Sequence, residues 1–214
     1  NENMLQDWKN VVEQPNGVVL VTGPTGSGKS TTLYSVLSQL DTNEINVSTI
    51  EDPIEAQIPG INQSQINDRA GFTFSNALRS MLRQDPDVLM VGEVRDSETA
   101  AIVSQAALTG HLVFSTLHTN DSISAITRLI NLGIEPYLVA ATVRGVLAQR
   151  LVRKICPHCK TAWEGDETIR QACGGGEYSM GAGCNRCRGT GFAGRIGIFE
   201  LLIPTKELLE AIGR

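Results

Sequence analysis

Residues 23–30 read Gly23-Pro24-Thr25-Gly26-Ser27-Gly28-Lys29-Ser30, a complete G-x-x-x-x-G-K-[ST] run. An apolar stretch, Val18-Val19-Leu20-Val21, leads into it, and a helix-forming stretch from Thr31 to Leu40 leads out. That strand–loop–helix setting separates a phosphate loop from a Gly-rich turn that matches by accident. The glycines let backbone N–H groups close around an anion without Cβ clashes. The helix that follows aims its positive end at the same place. Lys29 can reach the β- and γ-phosphates, and the Ser30 hydroxyl can hold Mg²⁺. Residues 23–30, with Thr31 opening the helix, are therefore the expected site of a nucleoside triphosphate.

The pattern around the loop is strand then helix, repeated. Gly17 to Val21, Asn46 to Ile50, Val88 to Val91 and Leu112 to Thr116 are short, apolar and β-branched, as buried parallel strands are. Helices are expected over Lys29 to Leu40, Ser75 to Arg83, Ser97 to Leu108, Ser122 to Leu132 and Pro136 to Val152. Alternation of this kind predicts an α/β core with a mainly parallel sheet, over residues 1–152. Residues 153–192 hold all five cysteines and many glycines but no period, and read as a small metal-stapled module. Residues 193–214 regain apolar character in Ile196-Gly197-Ile198-Phe199 and are expected to return to the core. The chain begins at Asn1 rather than Met, which suggests an excerpt of something longer.

Four cysteines form two knuckles, Cys156-x2-Cys159 and Cys184-x2-Cys187; Cys173 is left over. A phosphate-loop ATPase belongs to the cytosol, where thiols stay reduced. Two C-x-x-C pairs there predict a tetrahedral Zn²⁺ site, structural because four thiolates leave no open position. A redox pair or inert thiols are the competing readings. His158, inside the first knuckle, is expected beside the metal rather than on it. The formal charge of −5 lacks the basic footprint of a nucleic-acid binder. No apolar run approaches a membrane span.

Glu93 follows the strand Val88 to Val91, with Gly92 where an Asp more often ends such a strand. A carboxylate placed there can bind the Mg²⁺ shell or polarise the attacking water. If Glu93 serves the metal, the acids of Glu51-Asp52-Pro53-Ile54-Glu55 are candidates for the water. The bland alternative is a set of solvated loop charges. His118 follows the strand Leu112 to Thr116, where a γ-phosphate sensor would sit; His111 is at the opposite end and reads equally well as a structural residue. Arg79 and Arg83 are four apart on one expected helix and so share a face. They suit either surface ion pairs with Asp85 or Asp87, or charge stabilisation on a phosphate of a neighbouring subunit.

Taken together, these blocks resemble the secretion ATPase family of type II secretion and type IV pilus assembly. The matching runs are residues 22–33; Glu51-Asp52-Pro53-Ile54-Glu55; Leu82-Arg83-Gln84-Asp85-Pro86-Asp87; and Val91-Gly92-Glu93-Val94-Arg95-Asp96. Thr109-Gly110-His111-Leu112-Val113, Ser115-Thr116-Leu117-His118-Thr119-Asn120 and Gly194-Arg195-Ile196-Gly197 continue the match. The resemblance implies a hexameric ring of RecA-like domains that uses ATP to move an inner-membrane platform protein. It implies catalytic help from Glu51, metal duty for Glu93, phosphate sensing by His118 and a trans-acting role for Arg79 and Arg83. It places the protein in the cytoplasm, at the membrane only through partners. The four-cysteine module looks like that of the pilus-extension and type II secretion branch, so retraction is disfavoured. The family's upstream domains, one of which helps enclose the nucleotide, have no room in this chain.

Three rivals remain on the sequence alone. A RecA-like DNA translocase or packaging motor fits the loop but not the acidic balance or the missing basic–aromatic groove. A chaperone zinc repeat is suggested by Cys184-x2-Cys187-x-Gly189-x-Gly191, but one copy only is present. A nucleotide-binding module without turnover fits the loop alone.

Overall fold

The computed structural model describes residues 2–163, 165–172, 174 and 176–213; Cys173 lies outside the described residues. The order is α1 (Glu2–Val12), β1 (Gly17–Thr22), α2 (Lys29–Leu37), β2 (Val47–Glu51), β3 (Asn62–Gln65), α3 (Phe74–Met81), β4 (Val88–Val91), α4 (Ser97–Leu108) and β5 (Leu112–Leu117). Then follow α5 (Ser122–Asn131), α6 (Pro136–Thr142), β6 (Val143–Ile155), β7 (Lys160–Ala162), α7 (Glu167–Ala172), β8 (Ser179–Gly181), β9 (Phe192–Leu202) and α8 (Lys206–Ile212). Among the described residues the main sheet has seven strands in the order β3-β2-β4-β5-β1-β6-β9. The pairs from β3 through to β6 are parallel. The α/β class with a mainly parallel sheet is the one the sequence pattern predicts.

Strand alternation divides the core into two layers. Val18 and Leu20 of β1 face one side, among residues of α3, α4, α5 and α6 such as Leu78, Val103, Leu129 and Val139. Val19 and Val21 face the other, with Val11 of α1 and Leu33 and Leu37 of α2. All six residues of β1 are buried, which is why its sequence is continuously apolar rather than alternating.

Two expectations need correction. The helix expected over Pro136 to Val152 ends at Thr142, and the chain continues as β6. Residues 143–148 pair in parallel with Val18–Thr22, so the backbone groups of this segment are satisfied by β1 rather than by a helical turn. Gly145 is part of the reason: a Cβ there would lie 2.6 Å from the Val11 side chain, so the strand passes close beneath α1. Tertiary pairing overrode a local period. The second correction concerns Arg83. Helix α3 stops at Met81, and Arg83 falls in the 3₁₀ turn Leu82–Gln84 that follows. Arg79 and Arg83 therefore do not share an α-helical face. Asp85, with φ 50°, closes that turn in the left-handed region.

The chain folds as two compact units, residues 1–150 with 199–214, and residues 151–198. The second unit contains the two-stranded antiparallel pair β7–β8 and an edge-to-face contact between Trp163 and Tyr178 at 6.2 Å. Among the described residues no helix is long and apolar enough to cross a membrane.

Candidate functional site

The phosphate loop leaves the C-terminal end of β1 and enters α2, with Gly28 as the N-cap in the left-handed region. Gly23 has φ +146°, and a Cβ there would sit 2.2 Å from the Gln149 carbonyl oxygen and 2.8 Å from Ser27 Oγ. Only glycine fits that backbone and that space. Lys29 is buried, and its Nζ donates to the Gly23 and Pro24 carbonyls at 3.0 and 3.3 Å. The ammonium is thus held inside the curl of the loop. Burial pushes it below the ordinary lysine range, and the charge of Glu93 opposes that shift. Gln149 of β6 braces the loop. Its Nε2 donates to the Ser27 carbonyl at 2.6 Å, and its Oε1 accepts from Thr32 Oγ1 at 2.7 Å. Ser27 Oγ is buried with no hydrogen-bond partner among the described residues. An unsatisfied buried hydroxyl costs about 1–3 kcal/mol, and a phosphate oxygen in the loop would satisfy it. The loop fits a nucleotide phosphate on its own geometry.

Parallel pairing puts the C-terminal ends of β2, β4, β5 and β1 along one edge of the sheet, beside the loop. Open α/β sheets bind ligands at that edge. Glu51 ends β2 and is 4% exposed. Its Oε1 accepts from Thr49 Oγ1 at 2.6 Å and from Gln63 Nε2 at 3.0 Å, and its Oε2 accepts a short hydrogen bond from the Tyr34 hydroxyl. Glu93 lies just past β4. It is ion-paired with Arg95, and its second oxygen is 3.5 Å from His118 Nε2. Gly92 stands where an Asp more often ends such a strand, and a Cβ there would lie 3.2 Å from the Ile50 carbonyl of β2, a tight approach. Thr119 anchors the loop that carries His118. Its N–H donates to Thr22 Oγ1 at 2.9 Å, directly before the phosphate loop. Ser30 Oγ donates to Glu55 Oε1 at 3.0 Å, so the hydroxyl and a carboxylate of the 51–55 run already meet. Hydroxyl and carboxylate oxygens are the donor set a Mg²⁺ ion takes.

The arginines lie elsewhere. Arg79 pairs with Glu98 at 2.9 Å, both half exposed, rather than with Asp85 or Asp87. Arg83 donates to Ser80 Oγ at 3.4 Å. His111 is at the far end of β5, its Nδ1 2.9 Å from the Ala106 carbonyl, a structural contact.

In the second unit, the Sγ atoms of Cys156, Cys159, Cys184 and Cys187 all lie within 4.8 Å of one another. The spacings 156–184, 159–187 and 184–187 are 4.0, 3.8 and 3.8 Å. A tetrahedron with Zn–S bonds of about 2.3 Å has sulfur–sulfur edges of about 3.8 Å. The backbone N–H groups of Cys184 and Gly191 both point at Cys187 Sγ across 3.2 Å and favour its thiolate, while burial pushes the neighbouring Cys159 thiol the other way. The cluster could hold zinc. His158 lies against the Arg186 guanidinium, 2.8 Å from Nε2.

Reading the sequence alone misses Tyr34, Gln63 and Gln149. Tyr34 and Gln149 belong to segments whose apolar neighbours dominate the pattern. Gln63 sits on a four-residue polar strand, Asn62-Gln63-Ser64-Gln65, that carries no strand signal of its own.

The comparisons agree with this geometry. A family model described as type II/IV secretion system protein matches residues 1–214. The type IV pilus assembly ATPase PilB of Thermus thermophilus is 53% identical over 216 residues, covering 98% of this chain and 24% of that protein. The type II secretion system ATPase E of Vibrio cholerae is 51% identical over 211 residues, covering 96% of this chain and 42% of that protein. Among solved structures, the pilus retraction motor PilT with bound ADP aligns over 100% of this chain and 53% of its own, with a TM-score of 0.69 and 33% identity. This chain thus spans less than half the length of each of these two curated relatives. A loop, two carboxylates and a histidine on one sheet edge, a tetracysteine cluster, and a family match from end to end assign this chain to the type II/IV secretion system protein family.

Proposed function

We propose that this chain is the ATP-hydrolysing domain of a motor for pilus extension or type II protein secretion. The observation that carries this is the convergence of the phosphate loop, Glu51, Glu93 and His118 at the C-terminal ends of adjacent parallel strands. Lys29 places a cation on the β- and γ-oxygens, and the loop N–H groups cradle them. Ser30 and Glu93 would hold Mg²⁺, which would neutralise charge on those oxygens. Glu51, desolvated and fixed by three donors, orients and deprotonates the attacking water. His118, against Glu93, reads the γ-phosphate. Arg79 and Arg83 act across a subunit boundary in a homo-hexamer, the partner of which is an inner-membrane platform protein rather than a nucleic acid. The cysteine cluster binds one structural Zn²⁺. The protein works in the cytoplasm and meets the membrane through partners.

The test is Lys29→Ala in the full-length protein that contains this chain. Hydrolysis should vanish and triphosphate affinity should drop, since no other side chain of the loop carries a cation. Turnover near the parental rate would overturn the assignment.

A further inference from the structure

Tyr34 lies on α2, the helix that begins at the phosphate loop. Its hydroxyl makes two contacts of opposite sense. It donates to Glu51 Oε2 and accepts from the Glu55 backbone N–H at 3.2 Å. A second tie, from Ser30 Oγ to Glu55 Oε1, joins the same helix to the same loop. The remaining donors to Glu51 come from Thr49, on its own strand, and from Gln63 of β3. Gln63 itself is fastened to the loop, donating to the Ala56 carbonyl and accepting from the Ile58 N–H. Thus both oxygens of a buried carboxylate are engaged, and one of them is engaged by the helix that carries the nucleotide loop.

We propose that Tyr34 is a positioning residue for hydrolysis: its hydroxyl fixes the Glu51 carboxylate relative to α2, so that the acid and the phosphate loop keep one geometry. The inference rests on the reading of Glu51 as the group that activates water. The physical requirement is strict. A general base must come within hydrogen-bond reach of the proton it takes, and a misplacement of about 1 Å can cost about 10²-fold in rate. Glu51 ends β2, while the γ-phosphate position is set by the loop between β1 and α2, and β4 and β5 separate β2 from β1 in the sheet order. The Tyr34 bond is a direct side-chain link between these two frames. Burial and the Glu51 contact both keep the phenol above its ordinary range, so it remains a donor at neutral pH. Tyr34 borders a cleft of about 490 Å³ between α2 and the 55–59 loop.

The experiment is a double-mutant cycle in the assembled full-length protein, with Tyr34→Phe, Glu51→Gln and the double variant. Phenylalanine keeps the ring that packs against the core layer on the α1 and α2 side of the sheet and removes the hydroxyl alone. Single-turnover and steady-state rates are read well below the lowest melting midpoint, together with equilibrium ATP binding. The expected result is a kcat about 10-fold or more below parental for Tyr34→Phe, with KM within about 2-fold, and no further loss when it is added to Glu51→Gln. A parental kcat in Tyr34→Phe overturns the inference. So does an equal loss in both backgrounds, which would mean that the ring site acts through packing and not through Glu51. A raised KM with unchanged kcat overturns it as well, because the hydroxyl would then serve binding. A parental rate in Glu51→Gln is a different failure: it removes the reading of Glu51 itself.

Discussion

Glu93 is held between a guanidinium and an imidazole. One oxygen pairs with Arg95, and the other faces His118 Nε2 at 3.5 Å. Arg95 also lies 3.8 Å from Asp52, just past β2, so its guanidinium joins the ends of β4 and β2. The two carboxylates beside these strands are thereby separated by chemistry as well as by place. Glu51 is surrounded by neutral donors, whereas Glu93 is paired with a guanidinium. A carboxylate paired with a guanidinium, with an imidazole beside it, is suited to holding a metal shell and balancing a phosphate. A group held by neutral hydroxyl and amide donors is suited to aiming at water.

Glu93→Gln should therefore retain nucleotide binding and lose turnover by about 10²-fold or more, with the Mg²⁺ concentration for half-maximal activity shifted upward. Glu51→Gln should lose turnover by a similar factor with its Mg²⁺ dependence unchanged. Titrating Mg²⁺ at saturating ATP in both variants separates the two. Equal metal dependence in both would mean that the division of labour is wrong.

Gln149→Leu should loosen the phosphate loop. The substitution removes the donor to the Ser27 carbonyl and the acceptor for Thr32 Oγ1, both short contacts in a buried setting. Each orphaned group costs about 1–3 kcal/mol. The expected outcome is a lower melting midpoint, part of which ATP restores, and a KM for ATP raised about 10-fold or more with a smaller change in kcat. Thermal melts with and without Mg-ATP, beside steady-state kinetics, provide the check.

The course of this site through the chain explains what can be read from sequence and what cannot. The loop, the strands that enter it and the acids past β2 and β4 are legible because each is local: a motif, an apolar run, a charged residue where the run stops. Gln149 is not legible, because its role exists only once β6 pairs beside β1, and β6 itself looks helical from its neighbours. Leu147-Ala148-Gln149-Arg150 has good helix formers, and nothing nearby signals that Thr22 will supply a parallel partner. Tyr34 fails for a related reason. Between Leu33 and the Val36-Leu37 pair of α2 a tyrosine reads as packing, and its acid partner is 17 residues away. The helix expected to carry both Arg79 and Arg83 stops at Met81, two residues short of Arg83, a boundary that propensity does not fix.

One Zn²⁺ per chain should be present in protein purified without chelator, with Zn–S distances of about 2.3 Å by X-ray absorption and no nitrogen ligand. His158 is engaged with Arg186, so His158→Ala should leave the metal content unchanged. Replacing Cys156 and Cys159 by Ser should abolish zinc binding and expose the segment over 151–198 to protease before the remainder of the chain. Free thiols with no zinc in fresh protein would refute the site.

The arginines supply the last prediction. Arg79 holds an exposed ion pair with Glu98, of the kind worth about 0.2–1 kcal/mol, so little is lost if it turns to another anion. Arg83 is in a separate turn and makes one long contact to Ser80. Neither approaches the phosphate loop of its own chain through any described contact. An arginine that stabilises a transferring phosphate from across a subunit boundary can be worth about 10³–10⁵ in rate. In the full-length protein, subunits carrying Arg79→Ala and Arg83→Ala should therefore complement Lys29→Ala subunits, because each mixed boundary can join one intact loop to one intact pair of arginines. The two arginines should be tested singly as well, since they sit on different elements and need not act together. Activity rising above that of either parent on mixing, with co-assembly confirmed by native mass spectrometry, is the expected outcome. Mixed rings that stay inactive would place these arginines within their own subunit, as packing or surface charge.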